Sequence, residues 1–95
     1  MLRTLTVLAL LASPAYAAEP YCSDEMPFTA ITPIENGYML TEGYHQYACD
    51  PQDARWHKCD NRDDYLVHFE QRDGEIWISQ PTYAEGEYTK FAPCQ

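Results

Sequence analysis

The chain has 95 residues, with six Lys and Arg against 15 Asp and Glu, a formal net charge of −9 and 45% hydrophobic residues. That balance opposes binding to nucleic acid or anionic lipid, because neutralising phosphates takes lysine and arginine. No stretch beyond the first dozen residues approaches the roughly 20 apolar residues of a membrane span, so no membrane insertion is expected.

The N-terminus comes first. Arg3 is the one charge before an apolar run from Leu5 to Ala12; Ser13-Pro14 breaks the run, and Ala15-Tyr16-Ala17 offers small residues to a signal peptidase. This is the order of a secretory signal, with cleavage expected after Ala17. Cys22 lies too far beyond that point for lipid attachment at the cleavage site. The expectation is a cleavable signal over 1–17 and one exported domain over 18–95, periplasmic or extracellular. Removal of 1–17 leaves 78 residues, with five basic residues against 15 acidic ones and a net charge of −10.

A domain this short buries a small core and often needs covalent staples. Cys22, Cys49, Cys59 and Cys94 remain, an even number that reads as two disulfides in an oxidising compartment. No C-x-x-C pair is present, which argues against a zinc site. Of three possible pairings, Cys22–Cys94 with Cys49–Cys59 is favoured, tying the termini and closing a local loop. Asp50-Pro51 stands against it, because the pair has the form of a helix N-cap and first turn. A helix running on to Lys58 would hold Cys49 and Cys59 too far apart, so any helix there must be a single turn.

Ala18 to Pro27 reads as an extended lead-in. Phe28 to Thr32 is β-rich, Asn36-Gly37 is a hairpin signal ahead of Tyr38-Met39-Leu40, and Tyr44 to Cys49 is a short strand. Residues 50–64 form the longest and most polar loop. Tyr65, Val67 and Phe69 alternate with Leu66, His68 and Glu70 at the period of a strand, Asp73-Gly74 turns the chain, and Glu75 to Ser79 returns. Gly86 precedes a last strand, Glu87 to Phe91. These signals predict a mostly β domain: a small antiparallel barrel or curled meander of five to six short strands, with one short helical turn near Pro51. The expected core is Phe28, Ile31, Leu40, Val67, Phe69, Ile76, Ile78 and Phe91, with Trp77 on the opposite strand face.

Catalytic chemistry finds little support. His45, His57 and His68 have no metal-ligand spacing, and neither G-x-S-x-G nor S-x-x-K occurs. A small hydrolase would need His45 and His68 brought together by strand pairing. The reading is therefore of a protein that is not an enzyme, has no cofactor and holds no metal. Asp50, Asp53, Asp60, Asp63 and Asp64 raise the question of calcium, but Arg62 stands where a ligand would be needed and the loop lacks a glycine turn. The segment Trp56-His57-Lys58-Cys59-Asp60 with Asp63-Asp64 resembles the calcium loop of low-density-lipoprotein-receptor class A modules, but the chain lacks the cysteines that module requires.

What remains is a surface. Arg55, Trp56, His57, Asp60, Asp63 and Asp64 combine hot-spot residue types with negative charge, and point to docking of a basic protein partner. Tyr47-Ala48-Cys49-Asp50, with the size of the chain, resembles the periplasmic inhibitors of animal-type lysozyme, which are small disulfide-bonded β-barrels. The serine-glycine and tyrosine-bearing inhibitory segment of that family is missing, and Asp73-Gly74-Glu75 stands near its place. The expected function is an acidic binding module of inhibitor or immunity type. The alternative is an accessory envelope protein without a ligand.

Overall fold

The computed structural model describes residues 19–95; the expected signal peptide, 1–17, lies outside them. Eight strands follow one another: β1 (Tyr21–Ser23), β2 (Met26–Ile34), β3 (Gly37–Glu42), β4 (His45–Pro51), β5 (His57–Cys59), β6 (Leu66–Arg72), β7 (Glu75–Ser79) and β8 (Thr89–Pro93). Each pairs antiparallel with the next, and β1 with β8 closes the ring, giving an up-and-down barrel. Closure removes the exposed sheet edges that short strands would otherwise present.

The count is eight rather than five to six, for two physical reasons. The lead-in around Cys22 becomes β1, held by pairing to both β2 and β8. The polar loop yields β5, whose three residues bridge β4 and β6. The helical turn expected near Pro51 is absent. Asp50 pairs with Lys58, and Pro51 ends β4 opposite His57. The capping carboxylate is instead Asp53, whose Oδ1 accepts from the backbone N–H groups of Arg55 (2.9 Å) and Trp56 (2.8 Å). An aspartate turn after a strand-ending proline uses the same residue types as a helix start.

Period-two alternation places one face of every long strand inside. Ile31, Leu40, Val67, Phe69, Ile76, Ile78 and Phe91 are buried as expected, joined by Cys49 and Cys59. Tyr38 stacks on Phe69 with ring centroids 4.1 Å apart. Phe28 is the correction: it is 82% exposed and contributes nothing to the core. Thr29 takes the inward position instead.

Both favoured disulfides are present, Cys22–Cys94 and Cys49–Cys59. Cys49 and Cys59 face each other across β4–β5 and are fully buried, whereas Cys22 lies on the barrel exterior. The turns match their sequence. Asp73 and Gly74 both have positive φ, as do Asp60 and Asn61, the pattern of type I′ turns, which favour Asp, Asn and Gly. At the β2–β3 hairpin the turn falls on Glu35-Asn36, one residue earlier than the Asn-Gly signal predicts, and Gly37 opens β3 opposite Ile34. A side chain at Gly37 would overlap the Cys49 carbonyl oxygen on the neighbouring strand.

Candidate functional site

Antiparallel order fixes what meets where. The connections at 35–36, 52–56 and 73–74 lie at one end of the barrel, and those at 24–25, 43–44, 60–65 and 80–88 at the other. The six residues singled out in the sequence are thereby divided into three groups.

Arg55 and Trp56 join an exterior strip across β6–β8. The Arg55 guanidinium lies 5.0 Å from the Trp56 ring, and Trp56 meets His68 edge to face at 6.4 Å. His68 Nδ1 donates to the Arg55 carbonyl at 2.7 Å, tying the 52–56 connection to β6. Tyr88 packs between His68 and Trp77, and the Arg72 guanidinium sits 4.1 Å over Trp77 and 5.1 Å over Tyr88. Lys90 adds a second cation 5.4 Å from Trp77. Arg72 also holds the Glu70 carboxyl below the ordinary carboxylate range through a 2.8 Å hydrogen bond. The strip thus gathers both tryptophans and three of the five basic residues of 18–95. Cations lie over aromatic faces here, each stack worth about 0.5–1 kcal/mol at exposed sites.

His57 points into the barrel. Its ring packs against Phe69 (5.1 Å) and Tyr38 (5.4 Å), and its Nδ1 is buried with no hydrogen-bond partner. Burial first, and the nearby His68 second, push its pKa below the ordinary histidine value, with Asp50 pulling the other way.

Asp60, Asp63 and Asp64 lie at the opposite end of β5 from Trp56. Asp63 pairs with Lys58 Nζ at 3.0 Å, and Asp64 with Arg62 Nε at 3.1 Å. Asp60 also serves its turn, with positive φ and its N–H bonded to the Ala48 carbonyl. Among the described residues no group of three or more His, Cys, Asp or Glu is placed to hold a metal ion. His45 and His68 stay apart, since β5 separates β4 from β6; His45 instead stacks near Tyr47 at 6.3 Å.

This end of the barrel also bears most of the acidic residues of the connections. Its connections carry Asp24, Glu25, Asp60, Asp63, Asp64, Glu85 and Glu87, with Arg62 as their one basic residue. The other end carries Glu35, Asp53 and Asp73, with Arg55. Tyrosines ring the acidic mouth. Tyr65 Oη donates to Glu42 Oε2 at 2.8 Å, and burial together with that carboxylate raises the phenol's pKa. Tyr47 meets Tyr65 edge to face at 5.8 Å, and Tyr44 stands fully in solvent at the tip of the β3–β4 turn.

Tyr44 and Phe28 escaped the sequence reading as a pair. Phe28 is apolar like its core neighbours, but alternation in phase with Ile31 places Thr29 inward and Phe28 outward, a signal that is present in the sequence. Comparison with known protein families, characterised proteins and solved structures gave no match.

Proposed function

We propose that this is an exported acidic binding module that docks a basic protein partner through the barrel end bearing the 24–25, 43–44, 60–65 and 80–88 connections. The carrying observation is the asymmetry between the two ends, seven carboxylates with one arginine against three with one. A closed barrel offers no strand edge for β-augmentation, so recognition falls to turns and exterior side chains. Carboxylates around exposed tyrosine supply long-range steering together with an anchor residue type. Two disulfides fit an oxidising compartment, which supports the exported reading. Inhibitors and immunity-type proteins of exported enzymes share this logic.

The test is capture from envelope extract by the immobilised domain 18–95 at low ionic strength, with a basic lysozyme as one added ligand. A single saturable basic partner, lost on replacing Asp60, Asp63 and Asp64 with asparagine, supports the proposal. Failure to retain any partner favours an accessory envelope role.

A further inference from the structure

Phe28 and Tyr44 frame a shallow exterior groove with a definite construction. Cys22 pairs with Ala30 and Ala30 with Thr41, so three short side chains from β1, β2 and β3 stand in one row as its floor. The register between β1 and β2 then shifts: Ser23 pairs with Met26, leaving Pro27, Phe28 and Thr29 without partners on β1. Such an irregularity bends a strand and leaves this stretch of β2 uncovered by β1. Alternation in phase with Ile31 puts Thr29 inward and Phe28 outward, on the same face as Ala30. On the other side the Gly43 N–H bonds to the Phe28 carbonyl at 2.9 Å, which fixes the β3–β4 turn beside Phe28. The groove has a volume of about 410 Å³ and is lined by Pro27, Phe28, Tyr44 and the small floor.

Its two aromatic walls are the most exposed large hydrophobic side chains among the described residues, at 82% for Phe28 and 103% for Tyr44. Leaving two large rings in water forgoes burial that the core would reward, and exposed aromatics lining a groove with a small-residue floor form a socket. Charge selects the occupant. No lysine or arginine lines the groove, and the turn leading into Pro27 is Asp24-Glu25.

Building on the proposed docking of a basic partner, we infer that this groove is its anchor socket. It takes one apolar side chain flanked by lysine or arginine on the partner's surface. The acidic rim holds the flanking cations, while Phe28 and Tyr44 close on the apolar group.

The test uses the domain 18–95 labelled with 15N at low ionic strength and two synthetic peptides, each with two lysines on either side of a central leucine or a central glycine. The leucine peptide should shift the amides of Ala30, Thr41 and Gly43 and bind roughly fivefold tighter than the glycine peptide, as expected for partial burial of one leucine. Phe28→Ser and Tyr44→Ser, both at exposed positions, should keep the dispersed spectrum and remove that difference. Equal affinities with shifts confined to 60–65 would overturn the socket and leave the basic-partner reading standing. Absence of shifts with either peptide would overturn both. Concentration-dependent broadening of Ala30 and Thr41 without peptide would assign the groove to a second copy of the chain and overturn the inference.

Discussion

His57 shows how one side chain can look functional in sequence and be structural in place. It sits between a tryptophan and a lysine in the most polar segment, yet its ring fills space between Tyr38 and Phe69. Its buried Nδ1 lacks a partner, and an unsatisfied polar atom of this kind costs about 1–3 kcal/mol. Because burial lowers its folded pKa, the unfolded chain binds the proton more readily just below pH 6.5. The resulting stability is fully present above that pH and is lost as pH falls from there toward the folded pKa. His57→Phe keeps an aromatic ring in the gap and removes both effects. We expect it to raise stability at pH 7 by about 1 kcal/mol. In urea titrations between pH 7 and 5.5, the wild-type protein should lose stability relative to the variant. A constant difference between the two across that range would show that His57 does not titrate differently on folding.

At the scale of elements, legibility followed local chemistry. The β6–β7 hairpin was readable because alternation and Asp73-Gly74 agree on both register and turn. β1 and β5 were not, since three-residue strands carry too little pattern and exist through partners distant in sequence. Asp50-Pro51 misled because strand end and helix start draw on the same residues, and tertiary pairing decided between them. Phe28 misled because hydrophobicity alone assigned it to the core, whereas alternation in phase with Ile31 puts Thr29 on the inner face and Phe28 on the outer one. Within the candidate site, the individual residue types were legible, but their separation onto different ends and faces was not, because β5 lies between them.

The two disulfides occupy different environments and should separate chemically. Cys49 and Cys59 are inaccessible, whereas Cys22 is exposed and Cys94 partly so. Under native conditions, mild dithiothreitol followed by alkylation should label Cys22 and Cys94 first, leaving Cys49–Cys59 intact by mass spectrometry. Thiol exchange requires access to a sulfur. Loop-closure entropy assigns roughly 4 kcal/mol to the longer link and about 3 kcal/mol to the shorter. Simultaneous labelling of all four cysteines would mean that the barrel opens globally before the β1–β8 seam yields.

At the scale of the whole described domain, the barrel is a closed wall with its charge unevenly spread. Both tryptophans and three cations share the β6–β8 face, where Glu70 and Glu75 offset two of the three charges. Most loop carboxylates gather at one end, where Lys58 and Arg62 engage only Asp63 and Asp64. A basic partner approaching such a molecule is oriented before contact, because the uneven charge favours encounters at the acidic end. Steering of this kind acts over distances comparable to the Debye length, about 30 Å at 0.01 M salt and 8 Å at 0.15 M. Association with a captured basic partner should therefore slow by roughly tenfold or more across that range. Dissociation, governed by short-range contacts such as those of Tyr44, should change far less. Stopped-flow association rates at a series of salt concentrations measure this directly. Replacing Asp60, Asp63 and Asp64 with asparagine should flatten the salt dependence of association, whereas Tyr44→Ser should leave it intact and speed release. An association rate indifferent to salt would mean that the acidic end keeps the protein soluble and plays no part in recognition.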